Sequence, residues 1–130
     1  MKEIIQTVQF QASTHDVFEL LMNSAKHSAF TGESAVISRK VGGAFQAYGD
    51  YITGINVEIV KDVKLVQKWR ASDWIEGVYS LVTFKFVLVP GVGCKLIFTQ
   101  EGVPTDQFDV IKQGWADYYW DPMKEYLGED

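Results

Sequence analysis

The chain has 130 residues, 47% of them hydrophobic and 22% charged, with one cysteine and a net charge of −5. That is the composition of one globular domain large enough to bury a core without disulfide or metal staples, and it excludes a disordered or fibrous chain. No apolar run approaches the ~18 residues of a membrane span, no Lys/Arg cluster alternates with aromatics as in a nucleic-acid binder, and the lone Cys94 rules out an internal disulfide.

In chain order, "KEIIQTVQFQ" alternates with period two, so Gln6, Val8 and Phe10 share one face of a strand. The same alternation is too strict for a signal peptide, and with the single cysteine it makes the reducing cytoplasm the expected compartment. "ASTHDVFELLMNS" predicts a helix capped by Ser13 or Thr14, with Asp16 near its positive end and a break at Asn23-Ser24. A second short helix, "AKHSAF", is expected to stop before Gly32. Six short strands follow: "SAVISR", "AFQAYG", "YITGINVEIV", "VKLVQKWRA", "VYSLVTFKFVLV" and "CKLIFTQEG". Gly42-Gly43 marks positive φ or close backbone approach, Pro90-Gly91 marks a reversal, and connections this short predict an antiparallel meander.

Pro104 and Thr105 open a last helix, with Asp106 and Asp109 at its N-terminal end. At helical spacing Phe108, Ile111, Trp115, Tyr118, Tyr119, Met123 and Tyr126 form one broad apolar face opposite Gln113, Asp117, Asp121 and Lys124. Trp120 falls about 140° from Trp115, on the charged side. Pro122 is expected to kink or re-cap the helix, with Asp121 as the new N-cap. The pattern therefore predicts an α+β domain over residues 1–130: a curved seven-strand antiparallel sheet, two short helices, and a long C-terminal helix covering the apolar sheet face.

The stretches "FTGESAVISRKVGGAF" (30–45), "ITG" (52–54), "VQKWRASDWIEGVYS" (66–80), "QEGVP" (100–104) and "GWADYYWDPMKEYLG" (114–128) occur in family order. The chain resembles the activators of the heat shock protein 90 ATPase, within the START-like helix-grip superfamily that includes the birch-pollen allergen. The resemblance is to the C-terminal domain of the two-domain eukaryotic members, whose N-terminal domain supplies much of the chaperone grip. It implies a helix-grip fold and a non-enzymatic, co-chaperone-like partner of a heat shock protein 90-type chaperone.

Helix-grip folds also commonly enclose an apolar cavity, which makes a carrier or sensor of a small apolar ligand the alternative. Alternation assigns the inner face to Val57, Ile59, Leu65, Gln67, Trp69, Ser80, Val82, Phe84, Leu96, Phe98 and Gln100, joined by Trp115 and Tyr119 from the helix. These side chains either fill the space as core or line a void. The polar tips of Gln67, Ser80 and Gln100 either orient a ligand or bond one another. On the outer sheet face Lys64, Lys68 and Arg70 align, with Lys85 and Lys95 in matching positions on the next strands. Residues 101–130 hold eight acids against two bases. A basic sheet opposite an acidic helix back reads either as ordinary solvated surface or as a surface steering an acidic partner. Trp120, with Trp74 and Leu127, either anchors that partner or packs on the domain itself.

Catalysis is not expected. His15 reads as solvent-facing and His27-Ser28 as a polar rim, Cys94 as a small buried hydrophobe, and no metal-ligand spacing or phosphate loop appears, so neither metal nor cofactor is expected. A cyclase of the polyketide kind, found elsewhere in the superfamily, lacks an acid–base pair here.

Overall fold

The computed structural model describes residues 3–128, so the first two and last two residues of the expected domain lie outside it. Seven antiparallel strands run in the order β1-β7-β6-β5-β4-β3-β2. They are β1 (Glu3–Phe10), β2 (Val36–Ile37), β3 (Ala44–Ala47), β4 (Ile52–Val60), β5 (Lys64–Ala71), β6 (Ser80–Val89) and β7 (Gly93–Glu101). The meander is closed on one side by β1, which pairs with β7 from Glu3↔Glu101 to Phe10↔Cys94.

Two helices, α1 (Thr14–Met22) and α2 (Ser24–Thr31), lie between β1 and β2. Ser13 caps α1 by accepting from the Asp16 N–H. Asn23 ends α1 and starts α2, accepting from the Lys26 N–H, and Gly32 in the left-handed region terminates the pair. Gly42 and Gly43 divide the work of their turn. Gly42 takes φ 82°, whereas a Cβ on Gly43 would sit 2.0 Å from Ser38 Oγ.

Strand β4 departs from simple alternation. Its register with β5 slips between Asn56 and Glu58, so Val57 turns outward and Asn56 points in. This β-bulge overturns the inward assignment of Val57 and leaves Ile59 only partly buried. Asn56 donates to the carbonyls of Ser38 (2.7 Å) and Lys40 (3.1 Å) and accepts from Gln67 Nε2 (3.0 Å), pinning the loop before β3 to the sheet.

The C-terminal rod is one continuous helix of changing pitch. A 3₁₀ turn (Thr105–Gln107) leads into α3 (Phe108–Trp115), then a π turn (Ala116–Trp120), then α4 (Asp121–Tyr126). The Asp121 N–H bonds to the Ala116 carbonyl five residues back, so residues 115 and 120 reach the same face. Trp120 is accordingly buried, stacked on Trp115 at 5.4 Å with planes 21° apart. Asp121 keeps helical angles and does not cap a new helix, because the wide turn already accommodates Pro122. The carbonyl four residues before Pro122 belongs to Tyr118, and it accepts from the Tyr48 hydroxyl instead.

Trp115 is the centre of the core, touching Trp69, Phe84, Phe98, Tyr119 and Trp120. Both indole N–H groups on the rod bond to glutamines of the sheet: Trp115 to Gln100 Oε1 and Trp120 to Gln6 Oε1, each at 2.7 Å. Gln100 is fully buried, whereas Gln6 is only half-buried. Trp115→Phe therefore leaves a buried amide oxygen unpaired and should cost about 2 kcal/mol more than Trp120→Phe, whose freed glutamine reaches water. Urea denaturation at neutral pH measures the difference; equal losses would contradict it.

Candidate functional site

The residues expected to face inward do converge. Gln67, Trp69, Ser80, Val82, Phe84, Leu96, Phe98, Gln100, Trp115 and Tyr119 are all buried between sheet and rod. Most of the space among them is filled. Phe98 lies 4.4 Å from Trp115 and 5.3 Å from Phe84, centroid to centroid. The polar tips satisfy one another: Ser80 Oγ donates to the Trp69 carbonyl (2.9 Å), Gln100 Nε2 to Ser80 Oγ (2.9 Å), and Gln67 to Asn56. These bonds run within the core.

Open space survives at one end, beneath the first half of the rod. A cleft of about 390 Å³, open to solvent on one side, lies between the β3–β4 turn, β5 and α3. Of the expected lining only Trp69, Trp115 and Tyr119 reach it, and Tyr48, Tyr51, Ile52, Val110, Ile111, Gly114 and Tyr118 complete it. The signal for the added residues is the "YGDY" turn at 48–51, where β3 ends because Tyr48 adopts φ 52°, rare for a bulky side chain. That angle sets the Tyr48 ring edge-on to Tyr118 (5.7 Å) and Tyr119 (6.0 Å). Gly114 leaves the rod without a side chain at this point, and a Cβ there would meet only the Tyr118 ring, at 3.6 Å.

Behind the cleft lies a buried polar pair. His27 Nε2 and Tyr119 Oη share a 3.0 Å hydrogen bond, and His27 is 4% exposed, so it is an interior group and not a rim feature. Burial lowers the His27 pKa to about 4, opposed in part by the Leu20 and Leu21 backbone, and burial raises that of Tyr119. Burial, with neighbouring Tyr118 and Glu33, pushes the Tyr48 phenol up to about 12. Cys94 is buried, with its thiol raised to about 11 by burial, and His15 is bonded at 2.9 Å to Asp62.

The expected docking residues divide. Trp74 is buried against Trp69 at 5.5 Å, Trp120 lies in the core, and Leu127 packs on it, so none of the three presents an anchor to a partner. Arg70 faces outward but is committed to the loop at 72–79, donating to the carbonyls of Trp74 (2.8 Å), Val78 (3.3 Å) and Ile75 (3.4 Å). Lys64 lies 3.3 Å from Glu58, while Lys68 and Lys85 are exposed. Lys64 and Lys85 flank a shallow outer groove of about 350 Å³ floored by Val66, Leu81 and Ile97. No helix among the described residues is long and apolar enough to cross a membrane.

Comparison with known proteins follows the same outline. Residues 11–128 match the family described as Activator of Hsp90 ATPase homolog 1-like protein. The chain is 33% identical over 116 residues to an activator of 90 kDa heat shock protein ATPase homolog of Dictyostelium discoideum, covering 89% of this chain and 30% of that protein. To human activator homolog 1 it is 26% identical over 119 residues, covering 92% and 35% respectively. It thus spans about a third of the length of these curated relatives. The solved structure of an HSP90 activator from Plasmodium falciparum superposes with a TM-score of 0.94 at 26% identity, over 100% of this chain and 99% of that one. A Mesorhizobium loti protein at 17% identity and TM-score 0.83 shares the fold.

The His27 shift has a defined sign. Its folded pKa, about 4, lies below the ordinary 6.5, so between these values the unfolded chain binds more protons. The stabilisation is complete above pH 6.5 and is lost as pH falls toward 4. Relative to His27→Gln, the native chain should lose about 3 kcal/mol across that window. Denaturation midpoints of the two proteins at stepped pH test this, and parallel curves would refute it.

Proposed function

The chain belongs to the family of Activator of Hsp90 ATPase homolog 1-like proteins, and on that premise we propose that it is a co-chaperone-like module that binds an Hsp90-type chaperone. The observation carrying this reading is the likeness to the Plasmodium HSP90 activator, which runs the full length of both chains. The module acts by contact, binding the chaperone's closed state more tightly than its open one, and the nucleotide chemistry stays in the chaperone.

The contact surface on this reading is the outer face of β5 and its neighbours. Lys64, paired with Glu58, and Lys85 border the groove, and Lys68 is exposed on the same face, which suits an acidic partner surface. Arg70 supports that face by holding the 72–79 loop in place. Trp74 and Trp120 contribute from within, by fixing the sheet and rod that carry it.

Steady-state ATPase turnover of the source organism's own Hsp90-type chaperone should rise with added protein. Flat turnover at saturating protein removes the reading. Charge reversal at Lys64, Lys68 and Lys85 together should weaken association about tenfold or more and flatten its salt dependence, with the melting temperature little changed. Unchanged affinity would discard this surface.

A second reading rests on a different observation, the open aromatic cleft, whose volume suits a small molecule. In this role the domain carries or senses a small, largely apolar ligand. Mass spectrometry of natively purified protein should find a bound species. Adding that species at 100 times its Kd should raise stability by about 2.7 kcal/mol. Gly114→Leu, which fills the cleft from the rod, should abolish the gain while leaving the fold intact. No co-purifying species, and no shift across a lipid and aromatic panel, would leave the cleft without this role.

A further inference from the structure

The lining of the cleft is more selective than an apolar hole requires. Six of its residues are aromatic: Tyr48, Tyr51, Trp69, Trp115, Tyr118 and Tyr119. The rings stand as walls at steep angles to one another, Tyr48 at 77° to Tyr118 and 69° to Tyr119, with Trp69 and Trp115 5.5 Å apart behind them. Three of the four phenol hydroxyls are engaged elsewhere. Tyr48 donates to the Tyr118 carbonyl, Tyr51 to Asp73 at 3.3 Å, and Tyr119 is bonded to His27. The cleft is thus given ring surface and few hydrogen-bond donors. Among the described residues no lysine, arginine or histidine lines it.

Two carboxylates stand beside these rings. Asp73 is bonded to Tyr51, and Glu33 lies close enough to Tyr48 to act on its ionisation. Glu33 belongs to the segment tied to the Tyr48 turn, since the Gly49 N–H bonds to the Ser34 carbonyl at 2.9 Å. The turn is also held at a cost, because Tyr48 sits in the left-handed region. A bulky residue persists in such a conformation only where its surroundings over-determine it, and such positions concentrate at ligand sites.

Ring faces carry the negative end of the aromatic quadrupole, and several of them around one space attract a cation too poorly hydrated to prefer water. A compact ammonium or a group demanding directional hydrogen bonds gains little here. A neutral apolar group gains contact area but nothing from Asp73 or Glu33. The geometry points to an alkylated ammonium group, of the trimethylammonium kind, as the occupant of this cleft. The assignment rests on the second reading above, that the cleft is a ligand site, and it names the ligand's chemistry. Two sources present that group: a free small molecule, or a trimethylated lysine side chain on a protein.

The test compares choline with 3,3-dimethylbutan-1-ol, in which carbon replaces the nitrogen and shape is kept while charge is lost. Two-dimensional NMR of the indole N–H signals of Trp69 and Trp115 reports both titrations. Choline should shift these signals saturably and bind about fivefold or more tightly than the neutral alcohol. Tyr51→Leu, which keeps apolar cover and removes a ring face, should erase that preference; Tyr118→Leu replaces it if the first variant melts early. A short peptide bearing one Nε-trimethyllysine, run beside its unmethylated form, separates the sources. Tighter binding than choline assigns a protein-borne cation, and weaker binding a free one. Equal affinity for choline and the alcohol overturns the cation assignment while keeping the cleft as an apolar site. Binding by none of the probes overturns both.

Discussion

Two indole N–H groups donating to two glutamine side chains fix the rod on the sheet. Trp115 reaches across the core to Gln100 on β7, and Trp120 reaches the sheet edge at Gln6 on β1. Apolar burial alone would tolerate a rod rotated or slid by a residue, because hydrophobic attraction has no direction. These bonds do not tolerate it. Any such shift strands the Gln100 oxygen, which has no exposure, and breaks the chain running on through Ser80 to the Trp69 carbonyl. The π turn at Ala116–Trp120 is what allows both indoles to face the sheet together.

The position of the cleft follows from that constraint. With Trp115 held deep against Phe98 and Phe84, the part of the interior facing β6 and β7 is filled. The rod's first half borders the cleft, where Gly114 offers no side chain and the β3–β4 turn supplies tyrosines instead of packing residues. The interior is therefore solid at one end and open at the other. His27 sits behind the open end, kept neutral by burial, so the wall that Tyr119 contributes is backed by a polar contact that carries no charge at neutral pH.

Much of this was legible in the sequence, and the failures have local causes. Period-two alternation and the Gly and Pro turn residues located the seven strands, and Ser13, Asn23 and Gly32 marked the helix ends because caps are written in single residues. Alternation also placed the inner residues of β5, β6 and β7 correctly, because side chains on a strand change face at every step, and helical spacing did the same for Trp115 and Tyr119. It failed at Val57, where a bulge inserts one residue and reverses the faces on either side, and nothing in "GINVEIV" announces it. Helical period misplaced Trp120 for the equivalent reason, one extra residue in a turn. Exposure cannot be read from residue type, so Trp74 and His27 looked like surface features until tertiary packing covered them. The cleft was hidden because its added lining comes from the 48–51 turn, the start of β4 and the rod, not from the inner strand face that alternation describes.

The outer face and the cleft are not independent surfaces, because β5 contributes to both. Lys68 and Arg70 point outward while Trp69 between them lines the cleft. Arg70 holds the 72–79 loop through three carbonyls, and that same loop supplies Asp73 to Tyr51 and Trp74 to the back of Trp69. A stiff strand by itself passes no signal between its two sides, since coupling needs an element with two arrangements that each site biases differently. The 72–79 loop is the contact the two sides share, through Arg70 on one and through Asp73 and Trp74 on the other.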